Sequence, residues 1–132
     1  QQFLDKTIKK RYIALLDGEI SEKEGIIDLP LRVDINDRPK QMVCHENGKR
    51  SITRFKVIEV INSVTRIQLN PITGRSHQLR MHCAHKEGLN TAIVGDNLYG
   101  KKGTRLQLHA EFIQFIHPVS KKKMKFSSTA NF

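Results

Sequence analysis

The sequence has no tryptophan, only two cysteines, and 13 acidic residues against 23 lysines and arginines. Each shortage excludes something. Cys44 and Cys83 cannot make a multi-bridge disulfide framework; they fit buried or partly buried thiols in a reducing compartment, which predicts a cytoplasmic protein. No apolar run approaches the ~20 residues of a membrane-spanning helix, and no signal peptide is visible. There is no CxxC, no HExxH and no GxxxxGK[ST], so the common zinc and P-loop signatures are missing. The shortage of acid leaves a formal net charge of +10. A solvated basic face explains a small excess, but this one is large and predicts a polyanionic partner, of which nucleic acid is the commonest.

The 132 residues suit one domain, and 38% hydrophobic content suits a folded one. A chain of this size buries roughly two-thirds of the surface it exposes when unfolded. No internal repeat or low-complexity linker interrupts it. The opening QQFLDKTIKKRY looks like the tail of a helix running into a strand. Residues 9–17 (KKRYIALLD) are rich in β-formers and predict that strand, ending at Gly18. IIDLPLRV (26–33) predicts an irregular or edge segment broken by Pro30. QMVCHE (41–46) predicts a short strand, and NGK (47–49) carries a hairpin signature. RSITRFKVIEVI (50–61) and TRIQLN (65–70) flank Asn62-Ser63 and predict a long hairpin. LQLHAEFIQFIH (106–117) alternates like a strand, with KKMKFSS (122–128) as its partner. The sum predicts an α+β domain, mainly an antiparallel mixed sheet with few helices.

Thr73–His85 (TGRSHQLRMHCAH) stands out. It holds two arginines, three histidines and a cysteine, and no acid. Gly74 and Ser76 suggest a turn and a cap, with a helix over 76–86 that places Leu79 and Cys83 on one face and His77, Arg80 and Ala84 on another. Three readings compete. His82, Cys83 and His85 are zinc-type ligands, but paired ligand spacings are lacking, and a packed or capping histidine is the plainer account. A turn with Gly, Arg and Ser entering a helix offers donors to a phosphate, or Arg75 is a solvated charge. Thirdly, Arg80 lies in a segment that must pack on the sheet. A partly buried guanidinium requires a carboxylate, and none lies in the helix, so its partner is expected from elsewhere, even from outside the chain.

The run LNPITGRSHQLRMH (69–82) resembles the strand-turn-helix motif of RluA-type RNA pseudouridine synthases. KKRYIALLDG (9–18) is similar to the family's Lys-x-Tyr-x-Ala strand, GDNLYG (95–100) to its Gly-Asp-x-x-Tyr loop, and LQLHAEFIQFIHP (106–118) to its Leu-His-Ala segment. IIDLPLRVDINDRPKQMVCHENGK (26–49) is similar to the RluA subgroup itself. The resemblance covers essentially the whole chain. It implies isomerisation of uridine to pseudouridine in structured RNA (ribosomal RNA, tRNA stem-loops), with no cofactor and no metal. It implies that Arg80 ion-pairs with the catalytic aspartate, that Tyr12 stacks on the target base and assists removal of the C5 proton, that Leu108 lines the uracil pocket, and that Arg75 and His77 contact RNA. Lys9, Lys10, Arg11 and the lysines at 121, 122, 123 and 125 supply long-range attraction, or are simply solvated.

Two departures qualify the resemblance. The family's essential aspartate lies in a His-Arg-Leu-Asp motif upstream of the Tyr strand, and no such motif occurs here. Asp5, Asp17, Asp28, Asp34, Asp37 and Asp96 are the only aspartates. The expectation is therefore an incomplete catalytic domain, with residues 1–132 its C-terminal portion, inactive by itself; the alternative is a non-catalytic RNA-binding paralogue. Missing strands would also leave a sheet edge and part of the core open, favouring self-association. The second departure is Ala92, in KEGLNTAIV (86–94), where the family has a proline.

Overall fold

Alternation of apolar and polar residues sets the strands of this computed structural model, which describes residues 9–116, 120, 122–130 and 132. In chain order they are β1 (Lys9–Leu16), β2 (Glu24–Asp28), β3 (Leu31–Val33), β4 (Gln41–Val43), β5 (Ile52–Ile61) and β6 (Val64–Pro71), then the helix α1 (Gln78–Ala84), then β7 (Leu108–Ile116) and β8 (Lys123–Ser127). The expected α+β architecture is present. A six-stranded sheet runs β2-β5-β6-β1-β7-β8, and a two-stranded sheet holds β3 and β4. All the registered pairs are antiparallel. The helix tail suggested for the opening residues lies outside the described residues.

The β5–β6 hairpin turns at Asn62 and Ser63, with φ of 52° and 65°. Positive φ at both positions suits the right-handed twist of the flanking strands. β1 lies between β6 and β7, so its core face (Ala14 and Leu16) is enclosed on both sides. Ala14, Leu16, Ile27, Phe55, Ile67 and Leu69 form the core with Leu79 and Cys83 from α1 and Ile93 from the segment after it. Each such fully buried Leu or Ile contributes about 1.5–3 kcal/mol. The segment containing Ala92 is tied to the end of β1, with Asp17 N–H donating to Ala92 O at 2.8 Å and Val94 N–H to Leu15 O at 2.8 Å. Both outer strands of the large sheet carry exposed apolar side chains, Ile26 on β2 and Phe126 on β8.

Two local expectations need correcting. The turn at NGK does not join β4 to β5. β4 pairs back on β3, and after the turn Lys49 and Leu31 exchange backbone hydrogen bonds of 2.8 and 2.9 Å. The NG signal marks a turn correctly, but which strand the chain meets afterwards is a non-local choice. The helix also starts later than expected. Its N-cap is His77, in the left-handed region at φ 53°, ψ 19°, with no side-chain cap, and Ser76 is exposed.

Candidate active site

Tyr12, Arg75, His77, Arg80 and Leu108 line one cavity of about 250 Å³. Four elements converge to make it. β1 brings Lys10 and Tyr12, the end of β6 and the following turn bring Pro71, Thr73, Gly74 and Arg75, α1 brings Gln78, Leu79 and Arg80, and β7 brings Leu108. Tyr12 shares the core face with Ala14 and Leu16 because side chains alternate along a strand. A bulge beside it shifts the β1–β7 register between Arg11 and Tyr12, and bulges of this kind re-aim side chains at sites. The floor is apolar (Pro71, Leu79, Leu108) and the rim cationic. Among the described residues no carboxylate lines the cavity.

The turn is fixed by a buried network that the sequence did not disclose. Gln78 folds back. Its Oε1 accepts from Thr73 Oγ1 at 2.6 Å and from Arg75 N–H at 3.1 Å, and its Nε2 donates to Ile52 O and Thr53 Oγ1, both at 2.9 Å. Thr53 Oγ1 in turn meets His82 Nδ1 at 2.9 Å, and His82 Nε2 donates to Leu29 O at 3.0 Å. Both nitrogens of His82 are thus occupied by protein, so it is the packed histidine and not a metal ligand. Arg75 N–H is also taken, so the backbone cradle expected for phosphate lacks that donor. Burial pushes the Cys83 thiol up to about 12, with Asp96 adding to it, so this sulfur is inert at neutral pH.

Arg80 has a carboxylate partner outside the helix, as expected, and that partner lies within the chain. Its Nε and Nη2 donate to Asp96 Oδ2 and Oδ1 at 3.1 and 2.7 Å. The Asp96 side chain is fully buried. Its Oδ1 also accepts from Leu98 N–H and Tyr99 N–H at 3.1 and 3.2 Å. Burial pushes the Asp96 carboxyl up, but the Arg80 hydrogen bond and the two backbone donors outweigh it and hold the group below its ordinary range. The signal in the sequence was GDNLYG, read there as resembling the family's Gly-Asp-x-x-Tyr loop, with no role given to Asp96. Arg80 Nη1 has no acceptor among the described residues, and the Arg80 side chain lines the cavity.

Tyr99, also from that loop, is the second residue that sequence reasoning missed. Its hydroxyl accepts from Gln41 N–H at 2.8 Å and lies 2.7 Å from His77 Nδ1. Burial, then the Arg80 charge, push the His77 pKa down. A neutral imidazole accepts at Nδ1 from the Tyr99 hydroxyl and keeps its proton on Nε2. The left-handed backbone of His77 is uncommon for a residue with a side chain, and the Tyr99 bond helps to hold it.

Burial lowers the pKa of His82 as well, and this fixes a pH dependence. Below the ~6.5 of an unfolded imidazole, the unfolded chain binds a proton that the folded chain refuses. Stability is therefore expected to fall as pH drops below about 6.5, by at most ~1.4 kcal/mol per pH unit from His82. Urea denaturation at about pH 5 and about pH 7 measures this, and equal midpoints would contradict a neutral, buried His82.

A family model described as RNA pseudouridylate synthase matches residues 1–85. The chain belongs to the RNA pseudouridylate synthase family. Over its whole length it is 40% identical to the dual-specificity RNA pseudouridine synthase RluA of Haemophilus ducreyi and 41% identical to that of Escherichia coli. In each case it spans 62% of the relative's length. Among solved structures, human RNA pseudouridylate synthase domain containing 1 superposes with a TM-score of 0.81 at 29% identity, covering 97% of this chain and 57% of that one. A second human pseudouridylate synthase domain protein, at 21% identity and a TM-score of 0.72, shares the fold. In this member of the family the cavity has the apolar floor and cationic rim set out above, and no carboxylate among the described residues lines it.

Proposed function

We propose that the full-length gene product isomerises uridine to pseudouridine in structured RNA, with ribosomal RNA and tRNA stem-loops as its targets. The observation that carries this reading is the convergence of Tyr12, Arg80, Leu108, Arg75 and His77 on one cavity. In the reaction the N1–C1′ bond of the nucleotide breaks, the base turns, C5 bonds to C1′, and the C5 proton is lost while N1 gains one. Tyr12 and Leu108 sandwich the flipped base, as suits a pyrimidine taken out of its stack. Tyr12 assists removal of the C5 proton. Arg80, anchored by Asp96, turns its remaining N–H groups toward the nucleophilic carboxylate and holds it ionised. Arg75 and His77 Nε2 contact the RNA. Residues 1–132 alone bind RNA and do not convert it, because no carboxylate among the described residues lines the cavity.

Filling the cavity tests this directly. Leu108→Trp in the full-length protein is expected to lower conversion of a uridine-containing stem-loop by on the order of 10²-fold, because a displaced base loses its reactive geometry. RNA affinity should change little, since phosphate contacts dominate it. Conversion at the parent rate in a folded Leu108→Trp protein would remove the base from this cavity.

A further inference from the structure

The Gly74–Arg75 turn is a wall shared by two hollows. On one side it closes the cavity of Tyr12 and Leu108. On the other it faces a cleft of about 490 Å³ between the turn and the β3–β4 hairpin, where Arg32, Gln41, Asn47, Lys49, Arg75 and Ser76 supply the polar lining. Three of these are cations, and no carboxylate among the described residues lines the cleft. Salt-bridged lysines and arginines are the minority among the described residues, and what distinguishes these three is that they share one cleft. Arg11, Lys40, Arg50, Arg80 and Lys101 each lie within 4 Å of an acid. Arg32, Lys49 and Arg75 have no such partner among the described residues.

The two guanidiniums are held by backbone carbonyls without being neutralised. The Lys49 main chain is fixed by paired backbone bonds to Leu31, at 2.8 and 2.9 Å, and its side chain is exposed. Arg75 Nε donates to Arg50 O at 3.1 Å, and Arg32 Nε to Val33 O at 3.4 Å. The hairpin is itself tied to the cavity, since Tyr99 Oη bonds both Gln41 N–H and His77 Nδ1. Like charges gathered in one cleft repel unless an anion sits among them. Guanidinium, ammonium, amide and hydroxyl groups together match phosphate oxygens. Gly74, between the hollows, is exposed and has no side chain to block a strand passing over it.

From this we infer that the cleft holds backbone phosphates of the RNA strand adjoining the target nucleotide, with Arg32, Lys49 and Arg75 as the contacts. The strand then crosses the Gly74–Arg75 rim while its target base enters the cavity. The inference rests on the RNA reading above.

The test uses the full-length protein and a uridine-containing stem-loop RNA, with affinity measured against KCl concentration. Arg32→Gln with Lys49→Gln is expected to weaken binding about tenfold and to make the salt slope shallower by about 1.4, at ~0.7 per single-strand phosphate. Lys86→Gln with Lys102→Gln removes the same charge from exposed positions outside both hollows and should shift the slope far less. Equal slopes for the two double variants would overturn the cleft and leave the cavity reading intact. Loss of inorganic-phosphate binding with an unchanged RNA slope would assign the cleft to a free anion and overturn the strand path. A parent protein that binds no RNA would overturn the underlying reading, and the cleft with it.

Discussion

Replacing Asp96 by alanine is expected to destabilise the fold by about 3–5 kcal/mol, because it strands a largely buried guanidinium without its counter-ion. Only 19% of the Arg80 side chain is exposed, and none of Asp96. The same change deprives the Leu98 and Tyr99 N–H groups of their acceptor. On a domain whose total stability is of order 5–15 kcal/mol, the loss should lower the melting temperature by roughly 10–20 °C. Circular dichroism melts of parent and variant measure it, and a shift of a degree or two would mean that Asp96 does not anchor Arg80. The pair also sets an acid limit. The Asp96 carboxyl is held below its ordinary range, so its contribution is fully present above the unfolded value of ~3.9 and is lost as pH falls through the folded one.

Replacing Arg80 by alanine in the full-length protein is expected to lower conversion by on the order of 10³-fold, the scale seen when a preorganised charge-stabilising donor is removed. RNA affinity should stay within a few fold, because the proposed partner of Arg80 is a carboxylate and not a phosphate. Arg80→Ala also leaves Asp96 buried and unpaired, so loss of turnover by itself does not separate chemistry from folding. Arg80→Met combined with Asp96→Leu does. Replacing both partners of a buried pair by apolar groups of similar size is often neutral or stabilising. A double variant that melts near the parent and converts nothing would place Arg80 in the chemistry. One that melts near the parent and converts normally would remove it.

Much of this arrangement was legible in the chain because it is local. The alternation in β5, β6 and β7 and the Asn62-Ser63 turn are short-range signals, and the expected hairpin and final strand pair formed as read. The residues that line the cavity were singled out through motif resemblance and not through periodicity, since Tyr12 and Leu108 would otherwise pass as ordinary core side chains. What escaped was non-local. The partner of Arg80 sits 16 residues away in a loop, and a loop has no period to mark which side chain turns inward. The pairing of β4 with β3, and of Lys49 with Leu31, is decided by tertiary packing. The N-cap was misplaced at Ser76 because Gln78, a residue with no capping reputation, closes the turn with its own side chain.

The measurement that bears most directly on the central claim is conversion itself. The full-length gene product would be incubated with stem-loop RNA from ribosomal RNA and tRNA, and the RNA digested and analysed for pseudouridine by chromatography. Pseudouridine is expected at defined uridines, without added metal or cofactor, and none from residues 1–132 alone. Tight RNA binding by the full-length protein with no pseudouridine in any substrate would contradict the claim.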